Sequence, residues 1–130
     1  PIVTSLGRWV VAGNSGSHTV YLIDVTAGGF TIVASAVVNL AGATPGAEKY
    51  TAITPVALPT SAGNYVVCSD EVNGGDQWYN DDTTIDSVTA GISTSLIGSA
   101  GNTTVPPSAG NGFTNSFGAF TYAPVNFKVQ

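Results

Sequence analysis

One histidine, one cysteine, eight carboxylates and three cations make a short stock of reactive side chains for 130 residues. A Ser-His-Asp triad would have to use His18, which sits beside a glycine-rich run and reads better as a brace for a turn. Gly13-Asn14-Ser15-Gly16-Ser17 approaches a nucleophile elbow, but Ser17 stands where G-x-S-x-G needs its second glycine, and no strand-turn-helix surrounds it. Glycoside hydrolysis needs two carboxyls facing across a cleft. The candidate pairs, Asp70/Glu71 and Asp81/Asp82, are chain neighbours that alternate faces on a strand. A non-catalytic protein is therefore expected. Cys68 and His18 cannot make a zinc set, and a single cysteine closes no intramolecular disulfide. Asp76, Asn80, Asp81 and Asp82 cluster near a Gly-Gly turn without the spacing of an EF-hand loop. A solvated acidic loop is the preferred reading there and a structural calcium the alternative; no other cofactor is expected. Asn102-Thr103-Thr104 fits a glycosylation sequon.

The aromatic residues carry more information. Trp78-Tyr79 lies between Gln77 and Asn80, so hydrogen-bonding side chains flank two rings. Trp9 follows Arg8 in a run of strand-forming residues, and Tyr21 stands in a second such run beyond the glycine-rich segment. If these two runs form a hairpin centred on Ser15, Trp9 faces Tyr21, Val11 faces Thr19 and Gly7 faces Ile23. The other face then carries Leu6, Arg8 and Val10 against Val20, Leu22 and Asp24, with Arg8 and Asp24 paired near the rim of a core. Trp9 and Tyr21 are left side by side towards solvent, and Trp78 is expected to face outward as well. A pyranose ring offers an apolar C–H face and an edge of hydroxyls, which an aromatic plane flanked by Asn, Gln and Asp matches. Strands lie about 4.8 Å apart, close to the size of one sugar ring. A planar β-1,4-linked glucan is the expected ligand of such a surface; two tryptophans buried in the core are the competing reading.

These residues must be positioned by strands. Alternation by two in segments rich in Val, Ile, Thr and Tyr predicts strands over residues 2–12, 18–25, 30–40, 49–58, 65–72, 76–81, 85–97 (one long or two short) and 113–129. Pro55 belongs on an edge or at a bulge. Residues 98–112, with Pro106-Pro107, form the longest expected loop, and Cys68 behaves as a small buried hydrophobe. About eight strands with frequent turns and no amphipathic helix predict one all-β domain over residues 1–130. Its expected form is a two-sheet antiparallel β-sandwich with jelly-roll-like connections.

Composition narrows the partners. Hydrophobic residues make up 43% and charged residues 8% of the chain, which excludes intrinsic disorder. The net charge of −5 and the absence of a basic patch argue against nucleic acid and anionic membranes. No apolar run is long enough to span a bilayer, and Pro1 reads as the edge of an excised module.

The blocks Leu6-Gly7-Arg8-Trp9-Val10-Val11-Ala12-Gly13-Asn14-Ser15-Gly16-Ser17-His18-Thr19-Val20, Gly74-Gly75-Asp76-Gln77-Trp78-Tyr79 and Ala123-Pro124-Val125-Asn126-Phe127-Lys128 resemble a β-sandwich module of secreted bacterial proteins. They are also similar to carbohydrate-binding module family eighty-one, a cellulose- and β-glucan-binding module appended to an endoglucanase. The resemblance implies a secreted, non-catalytic sandwich that binds β-1,4-linked and mixed-linked glucans, cello-oligosaccharides and xyloglucan, and holds an attached glycoside hydrolase near them. It places Trp9 and Trp78 at stacking positions, with Tyr21 and Tyr79 as further platform members and Gln77, Asn80 and His18 as hydroxyl partners. A structural or adhesive domain of a cell-surface or fibre protein, using the same rings in a subunit contact, is the alternative.

Overall fold

The computed structural model describes residues 1–59, 64–70, 75–77 and 125–130. Within them the chain forms six strands: β1 (Ile2–Trp9), β2 (Ser17–Asp24), β3 (Thr31–Asn39), β4 (Glu48–Ala57), β5 (Tyr65–Ser69) and β6 (Val125–Val129). They build two antiparallel three-stranded sheets, ordered β4-β1-β6 and β3-β2-β5. The described residues are thus all-β and form the expected two-sheet sandwich. The expected strands over 85–97 and the loop over 98–112 lie outside the described residues, and residues 75–77 form a bend rather than the start of a strand.

The interior between the sheets is aliphatic. Val3, Leu6 and Val10 meet Val20, Leu22, Ala36, Val38 and Leu40 there, all nearly inaccessible to solvent. Burying such side chains supplies the main force holding the layers together, about 1.5–3 kcal/mol for each fully buried aliphatic residue. Val3 and Leu6 can share this face, although three positions apart, because a β-bulge shifts the register between Val3 and Ser5. On β4 the same irregularity spans the residues between Ala52 and Val56, so Pro55 falls at a bulge of an edge strand, where its missing N–H breaks no ladder.

The predicted β1–β2 hairpin does not form. Each of these strands is the centre of its own sheet, with both edges occupied, and the glycine-rich segment carries the chain from one layer to the other. Trp9 pairs with Glu48 and Tyr21 with Cys68 and Ser35, so the Trp9–Tyr21 opposition is corrected. Of the expected inward set, Leu6, Arg8, Val10, Val20 and Leu22 are buried, whereas Asp24 is only partly covered. Alternation specifies which face is buried, and the same alternation fits two strands lying side by side or facing each other across a sandwich.

Candidate functional site

In an antiparallel ladder, directly opposed residues point to the same face of the sheet. Trp9, Gly7 and Ser5 of β1 oppose Glu48, Tyr50 and Ala52 of β4, and Gly7 and Ser5 also oppose Asn126 and Lys128 of β6. Since Leu6, Arg8 and Val10 are buried, this second set is the outer face of the β4-β1-β6 sheet. It brings together two aromatic rings, a carboxyl, an amide and an ammonium group. Trp9 and Tyr50 are both half-buried and are diagonal neighbours, so their backbones lie about 7–8 Å apart.

Gly7 makes this arrangement sterically possible. A Cβ there would lie 2.6 Å from Tyr50 Cδ1, 2.7 Å from Tyr50 Cε1 and 3.0 Å from the Lys49 carbonyl oxygen. The phenol ring therefore lies across the backbone of β1, and Lys128 Nζ sits 4.2 Å from the ring centroid. A cation over an aromatic face is attracted by the ring quadrupole. The Tyr50 hydroxyl is held above its ordinary range by burial and then by the charge of Glu48. Glu48 is itself pushed up to about 7, because loss of water around its carboxyl outweighs the attraction of Arg8. Two atoms at the end of this face are buried without a hydrogen-bond partner among the described residues, Trp9 Nε1 and Glu48 Oε2.

A second cluster closes the neighbouring end of the sandwich. Asp76 Oδ1 accepts the Ser15 backbone N–H at 3.0 Å, and Oδ2 accepts the Gly16 N–H at 2.8 Å and faces His18 Nε2 at 3.0 Å. Next to it, Gln77 N–H donates to Asn14 Oδ1 at 2.9 Å while Asn14 Nδ2 donates to the Gln77 carbonyl at 2.8 Å. Arg8, fully buried, donates to the carbonyls of Trp9 at 3.2 Å and Gln77 at 3.4 Å. The glycine-rich run is thus a clamp for residues 75–77. Gly16 serves it directly, since a Cβ there would lie 2.9 Å from Asp76 Oδ2. Burial works to raise the Asp76 carboxyl, but the His18 hydrogen bond, the two amides and the His18 charge together hold it below the usual carboxylate range. His18 Nδ1 faces the Asp70 carbonyl at 3.0 Å. A carbonyl only accepts, so Nδ1 carries a hydrogen. When the ring is protonated, Nε2–H donates to the Asp76 carboxylate and the two form an ion pair.

The expected site residues separate accordingly. Trp9 is on the outer face of β4-β1-β6. Gln77 and His18 belong to the clamp, with His18 buried and committed to Asp70 and Asp76 rather than to solvent. Tyr21 is corrected: it is 7% exposed and packs with Ile23, Val66 and Cys68 on the other face of the β3-β2-β5 sheet. The unbroken apolar run Val20-Tyr21-Leu22-Ile23 is the signature of a strand buried on both faces. The Arg8–Asp24 pair is corrected too, since Asp24 Oδ1 accepts the Thr26 N–H at 2.8 Å at the far end of β2. Trp78, Tyr79 and Asn80, like Asp81 and Asp82 of the acidic loop, lie outside the described residues. Among the described residues no group of three or more His, Cys, Asp or Glu side chains could hold a metal ion. Cys68 is buried as expected, and burial and the nearby Asp70 push its thiol up to about 12. Tyr50, Glu48, Asn126 and Lys128 were not anticipated from the sequence; the available signal was Gly7, alone inside a strand, which marks a close approach by another group.

Comparisons with family models, curated proteins and solved structures find no match to this chain.

Proposed function

We propose that this protein is a non-catalytic carbohydrate-binding module whose ligands are neutral β-1,4-linked and mixed-linked glucans. The observation that carries the reading is the pairing of Trp9 and Tyr50 on one outer sheet face, with Asn126, Lys128 and Glu48 around them. The exposed part of the Trp9 indole can stack on the C–H face of a pyranose, and the Tyr50 ring, which rests on β1, can do so where the exposed Lys128 side chain swings off its outer face. The polar neighbours supply donors and acceptors for hydroxyls at the ring edge. A chain in which only 8% of residues are charged suits a ligand that carries no charge. Attachment to a glycoside hydrolase and an extracellular setting, both implied by the resemblance, belong to the same proposal.

Native gels containing barley β-glucan, xyloglucan or no polymer test it. Retardation in the polysaccharide gels that weakens in Trp9→Ala and Trp78→Ala supports the module. Mobility that no polymer alters contradicts it.

A further inference from the structure

Tyr50 reaches across the middle strand of its sheet. Its ring comes so close to Gly7 that a Cβ there would lie 2.6 Å from Cδ1 and 2.7 Å from Cε1, so β1 covers one side of the phenol. A sugar can approach only the other side. That side is occupied from β6: Lys128 Nζ lies 4.2 Å from the ring centroid, well within the roughly 6 Å over which a cation is attracted to an aromatic face. The Lys128 backbone is fixed, since it pairs with Ser5 of β1 and its carbonyl accepts the Thr4 hydroxyl at 3.4 Å. Its side chain has more freedom. The residue is exposed, and the flexible stem of a lysine lets the ammonium leave the ring while the strand stays paired.

We propose that Lys128 is a self-competing lid on the Tyr50 stacking position: its ammonium holds the ring face that a pyranose must take, and it swings away when a glucan binds. The inference rests on the carbohydrate reading above and deepens it, since it names the residue that limits affinity at this position.

Vacating the ring forfeits the attraction between the cation and the ring quadrupole. The displaced ammonium recovers little from the sugar, because at an exposed position it exchanges water for a hydroxyl with small net gain. Lys128 therefore weakens the binding of neutral glucans, the reverse of what a residue that donates to sugar hydroxyls would do. The effect also depends on the ring, so it disappears when the ring is removed.

Two measurements with cellohexaose test this. In calorimetric titrations Lys128→Ala, checked for folding by its thermal transition, is expected to bind about twofold to fivefold more tightly than wild type. The gain is expected to vanish when the same substitution is made in Tyr50→Ala, where no ring face remains to be freed. In NMR spectra of the wild-type protein, which need no variant, the ring current of Tyr50 should hold the Lys128 Hε protons upfield of their ordinary position. Saturating cellohexaose should return them to it. Lys128→Ala that binds as wild type or more weakly, a gain that survives in Tyr50→Ala, or Hε protons whose position cellohexaose does not change overturns the lid while leaving the carbohydrate reading standing. Wild-type protein that gives neither binding heat nor any shift change with cellohexaose removes both.

Discussion

Replacing Glu48 by Gln should stabilise the free protein at pH 8 and leave it nearly unchanged at pH 5. The reasoning starts from a carboxyl whose ordinary value, 4.5, is displaced to about 7 by burial. At roughly 1.4 kcal/mol for each tenfold change in proton affinity this is about 3 kcal/mol, and about 2 kcal/mol after allowing for its partial exposure. Because the folded state holds the proton more tightly than the unfolded chain, this contribution is fully present below about pH 4.5. It is lost progressively as the pH rises towards 7. Glutamine cannot ionise and keeps the contribution throughout. Urea denaturation of both proteins at pH 5 and pH 8 measures the difference, and comparing the two proteins cancels the titration of every other group. A variant less stable than wild type at pH 8 would refute the reasoning, for it would mean that attraction between Arg8 and an ionised Glu48 exceeds the penalty of removing the carboxylate from water.

Two further substitutions probe the ends of the sandwich. Gly7→Ala places a Cβ 2.6 Å from the Tyr50 ring, so it should cost about 1–3 kcal/mol of stability and weaken glucan retardation by tilting the ring off β1; thermal unfolding and affinity gels report the two effects. Asp76→Asn removes the ionised acceptor shared by Ser15, Gly16 and His18 and should cost about 2–3 kcal/mol in denaturant titrations at pH 7. In wild-type protein the same contribution is present above pH 3.8 and disappears as the pH falls through the depressed value of the folded state. The loss on substitution should therefore shrink as the pH falls below 3.8 and through that depressed value.

Much of the layer structure is legible in the chain because it depends on local alternation. Leu6, Arg8, Val10, Val20 and Leu22 face inward as their spacing requires, and Pro55 sits at a bulge as its missing N–H requires. Which strands become neighbours is a different kind of information. Trp9 meets Glu48 some forty residues along the chain, and nothing in either local pattern encodes that pairing. Tyr21 shows the related difficulty: a hairpin register centred on Ser15 puts it outward beside Trp9, yet both faces of β2 are covered, as the apolar run from Val20 to Ile23 already indicates. The glycine-rich run is recognisable as special without its partner being apparent. Its glycines and asparagine suit a hairpin turn as readily as a clamp around Asp76 and Gln77, and only the tertiary contacts decide between them.

The claim that a glucan lies on the outer face of β4-β1-β6 is tested most directly by comparing Tyr50→Ala with Tyr21→Phe in gels containing barley β-glucan. Removing the Tyr50 ring should lower the apparent affinity about tenfold, while loss of the buried Tyr21 hydroxyl should leave retardation at the wild-type level. Wild-type retardation by Tyr50→Ala, with Tyr21→Phe the impaired variant, would place the binding surface on the other sheet and contradict the account.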